Sequence, residues 1–119
     1  MENYEAHILS RYSGGFHIAF ENGLIVSVQW RPGTYTQNGR EISDDLFERF
    51  DLSNPNQIQR STDVEIALLD SNENFVDPRD YGIDVPDDWF AWGDVVAGHI
   101  SMEELAEFIY RVSKAKVEG

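Results

Sequence analysis

The clearest alternation in the chain runs from Phe16 to Trp30. Phe16, Ile18 and Phe20 alternate with His17 and Ala19, and Leu24, Val26, Val28 and Trp30 alternate with Ile25, Ser27 and Gln29. This period of two is that of half-buried strands. Both apolar rows share one face only if Phe20 opposes Leu24, Ile18 opposes Val26 and Phe16 opposes Val28, because a one-residue slip turns a whole row outward. Glu21, Asn22 and Gly23 are left as a three-residue loop. Such loops place a bulge residue at positive φ after a type I turn, and Gly23 has no Cβ to clash there.

The pattern is weaker on either side. Residues 4–12, with Tyr4, His7, Ile8, Leu9 and Tyr12 among polar positions, fit a short helix or an edge strand equally well. Arg31-Pro32-Gly33 ends the second strand, since proline lacks a ladder donor, and a polar loop follows to Arg40. Ser43, acids at Asp44 and Asp45, and apolar Leu46, Phe47 and Phe50 predict a short helix that stops by Ser53-Asn54-Pro55. Val64, Ile66 and Leu68 predict a third strand, Asp70 to Asn74 a turn, and Phe75-Val76 a brief fourth strand. Val95 and Val96 are candidates for one more.

Ser101-Met102-Glu103-Glu104 has capping-box spacing. Met102, Leu105, Phe108, Ile109 and Val112 then recur at three- and four-residue intervals, with Arg111, Lys114 and Lys116 at the end where the helix dipole favours cations. This predicts a helix from Met102 to about Lys114, apolar side on the sheet. The expected fold is one α+β domain over residues 1–119: an antiparallel sheet of about four strands packed against a carboxy-terminal helix, with one additional short helix.

Composition narrows the function classes. A chain of 119 residues with 41% hydrophobic and 13% aromatic side chains can hide roughly two thirds of its unfolded surface, so a core is feasible without staples. There is no cysteine, which removes disulfides, thiolate metal sites and thiol nucleophiles. The first residues carry acid where a signal peptide carries base, and no apolar run reaches spanning length; a cytoplasmic location is expected. The net charge of −13 disfavours nucleic acid and anionic membranes as direct ligands. Residues 61–119 hold fourteen acids and four bases, so the second half carries −10 of the total.

Within that half, ten acids and one base, Arg79, lie between Asp63 and Asp94. Carboxylates held at irregular spacing can present a phosphate-like surface to a nucleic-acid-binding protein; the plainer alternative is a solubilising surface. Trp89, Phe90 and Trp92 stand beside Asp87 and Asp88, the pattern of an aromatic anchor in a charged rim; chain geometry sends at least one of these rings inward, and two of the three are expected to be core. The expected partner-binding residues are Asp77, Asp80, Asp84, Asp87, Asp88, Trp89 and Trp92.

Other chemistry is less well supplied. Asp70-Ser71-Asn72-Glu73-Asn74 begins like a calcium loop, but Phe75 stands where Gly belongs and Tyr81 where a bidentate Glu belongs, so a plain turn is expected. His7, His17 and His99 form no spaced pair, and no metal or other cofactor is expected. No nucleophile motif is present, and a non-enzymatic role follows. Arg31, Tyr35 and Arg40 flank a polar loop whose side chains suit a nucleotide, which makes a ligand-sequestering pocket the alternative reading.

The run Gly14-Gly15-Phe16-His17-Ile18-Ala19-Phe20-Glu21-Asn22-Gly23, followed by Val26-Ser27-Val28-Gln29-Trp30, resembles small uncharacterised acidic proteins encoded by bacteriophages and prophages. The resemblance implies inhibitors of host nucleases or other defence factors, some acting as nucleic-acid mimics in the host cytoplasm. On this reading the partner is a basic host protein. An immunity-type protein that neutralises a basic toxin would use the same physics, and a homodimer is also compatible with the sequence.

Overall fold

The computed structural model describes residues 4–10, 14–30 and 61–117, apart from the side chain of Trp92. The predicted hairpin is present. Strand β2 (Gly15–Ala19) pairs antiparallel with β3 (Ile25–Gln29), with Phe16 opposite Val28 and Ile18 opposite Val26. Phe20 closes the turn by donating its amide to the Leu24 carbonyl, while the Gly23 amide returns to the Phe20 carbonyl. Gly23 has φ 88, as the bulge position requires.

The undecided stretch near the amino terminus resolves as an edge strand, β1 (His7–Ser10), paired with β2. β4 (Val64–Leu69) lies along the other side of β3, Ile66 against Val28 and Leu68 against Val26. The far edge of β4 is shared by two short strands. β5 (Phe75–Val76) takes Leu68 and Leu69, and β6 (Ala97–Ile100) takes Val64 and Ile66. Among the described residues the sheet is antiparallel with six strands, rather than about four.

The extra strands are β1 and β6. At β6 the expectation of a strand at Val95-Val96 is corrected: Val95 is exposed, and pairing begins at Ala97. His99 sits at φ 54, and the register shifts between Val64 and Ile66. That extra residue lets Ala97 and Ile100, three apart, both turn inward, which breaks the period of two by which strands are recognised.

Helix α1 (Met102–Lys114) starts on the predicted capping box, Ser101 accepting from the Glu104 amide and Glu104 from the Ser101 amide. Its Phe108 and Val112 are buried, and Leu105 and Ile109 are half-buried against the same core. Met102, expected in that stripe, is 43% exposed, because it belongs to the first turn beyond the core's edge. The main core joins these residues to Leu24, Val26, Val28, Ile66, Leu68 and Ile100, with Ile83, Val85, Trp89 and Phe90 from the acidic segment closing one end.

The opposite face of the sheet is also covered. Ala19, Ile25 and Leu69 form a second cluster with Tyr4 against it, and His17 and Ser27 are buried nearby. His17, expected on a polar strand face, is therefore on the face away from the main core yet shielded from water. The predicted helix from Ser43 to Phe50 and the loop carrying Arg31, Tyr35 and Arg40 lie outside the described residues.

Candidate functional site

The acidic segment is ordered by proline, glycine and one arginine. Asp77 caps a single 3-10 turn (Pro78–Tyr81), its carboxylate accepting from the Arg79 amide at 2.9 Å. Gly82, at φ 72, ends the turn and sends Ile83 into the core. Pro86-Asp87-Asp88-Trp89 is a tight turn closed by the Trp89 amide on the Pro86 carbonyl, and it holds Asp87 and Asp88 at its tip, exposed. The Arg79 guanidinium donates to the carbonyls at both ends of this turn, Pro86 at 2.9 Å and Trp89 at 2.6 Å. The sole base of the segment is thus a clamp on its backbone.

Beyond the turn the chain reverses sharply. Phe90 adopts φ 56, a left-handed conformation that costs a non-glycine residue about 1–2 kcal/mol. The reversal allows neighbouring Trp89 and Phe90 both to reach Phe108, with ring centroids 6.1 and 6.3 Å away. Two of the three clustered aromatics are therefore core.

A second arginine fastens the segment to the helix. Arg111 donates to the Asp84 carbonyl at 2.7 Å and to Glu107 at 2.9 Å, and its guanidinium lies 3.8 Å from the Asp84 carboxylate. Between the segment and α1 runs a groove of about 540 Å³, lined by Asp84, Val85, Pro86, Trp89, Glu103, Glu104, Glu107, Phe108 and Arg111. Its floor is apolar, formed by Val85, Trp89 and Phe108. Its walls carry four carboxylates against one guanidinium, and Asp87 and Asp88 stand just outside.

Of the residues expected to bind a partner, Asp84 and Trp89 line this groove, and Asp87 and Asp88 flank it. The Asp84 side chain is 97% exposed, whereas Trp89 is only 9% exposed. Asp77 spends its carboxylate on Arg79, at 3.3 Å from the guanidinium. Asp80 is exposed but outside the groove, and the Trp92 side chain lies outside the described residues. Sequence reading missed the helix wall, Glu103, Glu104 and Glu107. Its signal was available: acids at successive-turn positions on the polar side of a helix whose apolar side had been identified.

The remaining candidates separate. The Asp70 carboxylate accepts from the amides of Asn72 and Asn74 at 2.9 and 3.0 Å; these bonds, Asn74 foremost, hold its pKa below the ordinary 3.8 against a smaller opposing effect of desolvation. His7 and His17 line one hollow on the far face of the sheet, while His99 meets Asp63 at 3.0 Å. Among the described residues no group of three or more His, Cys, Asp or Glu side chains could hold a metal ion, and no helix is long and apolar enough to cross a membrane. No family model, curated protein or solved structure matches the chain.

Proposed function

We infer that this is a non-enzymatic acidic binding protein of the phage inhibitor type, which docks its groove end on a basic, nucleic-acid-binding host protein and competes with that protein's nucleic acid. The observation that carries this reading is the convergence of acids from two separate elements on one groove, Asp84 from the segment and Glu103, Glu104 and Glu107 from α1, with Asp87 and Asp88 exposed on the turn between the lining residues Pro86 and Trp89. Two arginine clamps fix the segment's backbone, so its carboxylates present a preset pattern rather than a fluctuating one. Preset charge speeds encounter and loses little ordering entropy on binding.

The test is affinity capture from bacterial lysate with the wild-type chain and a variant carrying Asp84→Lys, Asp87→Lys and Asp88→Lys. The expected result is a basic nucleic-acid-binding protein, identified by mass spectrometry, that added DNA displaces and that the variant fails to retain. Capture that is indifferent to charge reversal or to DNA would refute the reading.

A further inference from the structure

A surface that only mimicked phosphates would have no use for an apolar floor. The groove has one: Val85, Trp89 and Phe108 line it together with Asp84 of the segment and Glu103, Glu104 and Glu107 of α1. Its volume of about 540 Å³ is within the range of pockets that enclose a ligand. It opens between a loop and the first turns of α1 rather than into the protein's centre.

We propose that this groove seats an amphipathic basic segment of the partner protein, apolar side chains on Val85, Trp89 and Phe108 and flanking lysines or arginines against Asp84 and Glu103. The proposal rests on the acidic-inhibitor reading and adds the mode of recognition. Charge selects the occupant. An acidic or neutral apolar segment would bring no partner to the carboxylates and would desolvate them on entry, which is costly for unpaired charge. A free lysine-rich tail would satisfy the walls and leave the floor wet. Only a segment that is apolar on one side and cationic on its flanks uses both, the helix-in-groove mode of recognition.

Within the walls Glu104 is engaged by Ser101 and Glu107 by Arg111. Glu103, and the Asp84 carboxylate, which is 97% exposed and only loosely paired with Arg111 at 3.8 Å, are the groups positioned to take incoming cations. Glu103 is exposed on α1, and a change there leaves both arginine clamps untouched.

The test uses two fluorescently labelled peptides titrated with the full chain. One is a short helical peptide with Trp and Leu four residues apart among lysines; the other has the same charge with both replaced by Ser. The expected result is binding about tenfold or more tighter for the Trp/Leu peptide, the effect of burying one large apolar side chain. Affinity should fall with Glu103→Gln and further with Glu103→Lys, and only the Trp/Leu peptide should shift the Trp89 indole resonance. Equal affinities would overturn the groove proposal and leave the electrostatic reading standing, as would failure of both peptides alongside DNA-sensitive capture of a basic protein. A tenfold preference that ignores both Glu103 variants would place the binding elsewhere and overturn the proposal as well.

Discussion

Asn22 sits in the turn of the first hairpin, yet its side chain does most of its bonding 90 and 93 residues further along the chain. Its amide donates to the carbonyls of Val112 and Ala115 at 2.8 and 2.9 Å, while its own carbonyl accepts from Leu24. One side chain therefore shapes the turn and satisfies the carboxy-terminal end of α1, where helix carbonyls lack partners. Asn22→Ala is expected to lower stability by about 1–2 kcal/mol in urea unfolding, and an unchanged midpoint would contradict the role. The requirement for Gly23 was legible because it follows from local turn geometry; the role of Asn22 was not, because no local rule points 90 residues away. Asp70 gives a pH prediction. Its folded pKa is depressed, so its contribution is present above the unfolded value and is lost as pH falls through the folded one. In a carboxyl NMR titration its midpoint should lie below 3.8, and Asp70→Asn should flatten the acid side of the stability profile. A midpoint at or above that value would argue against the two backbone bonds.

At the scale of elements, the hairpin, β4, β5 and α1 were legible because each is specified by its own pattern: alternation for the strands, a capping box and 3.6 periodicity for the helix. β1 was ambiguous because it is exposed along its whole length, with Ile8 69% exposed, so no buried face imposes a period on it. β6 was displaced in the reading because its bulge at His99 sets buried residues three apart. The acidic segment is a different kind of element, held by caps and arginine bonds instead of a ladder. Arg79→Met keeps much of the side-chain volume and removes the donors to Pro86 and Trp89. It should cost about 1–2 kcal/mol and speed amide exchange at the Trp89 amide, which closes the Pro86 turn, while the exchange of β3 stays slow. Uniform acceleration across the sheet would mean that the segment does not open on its own.

At the scale of the whole molecule, the described residues separate an acid-poor sheet edge from an acid-rich groove. Residues 6–20 contain no acid, and β1 and β2 lie within them at one edge of the sheet, while Asp84, Glu103, Glu104 and Glu107 gather at the groove beside α1. Half of that arrangement could be read from the sequence, since the excess between Asp63 and Asp94 is plain in the order of residues. The other half could not, because the acids of α1 join those of the segment only when Phe108 packs on Trp89 and Phe90. The same packing turned an expected anchor, Trp89, into a floor. The account's central claim is that this acidic end binds by charge, and it is tested most directly by measuring the affinity for the captured partner across a salt series from about 0.05 to 0.3 M, where the screening length shortens from about 14 to about 6 Å. The account predicts a fall of about tenfold or more, abolished in the chain bearing Asp84→Lys, Asp87→Lys and Asp88→Lys; an affinity that stays level across the series would contradict it.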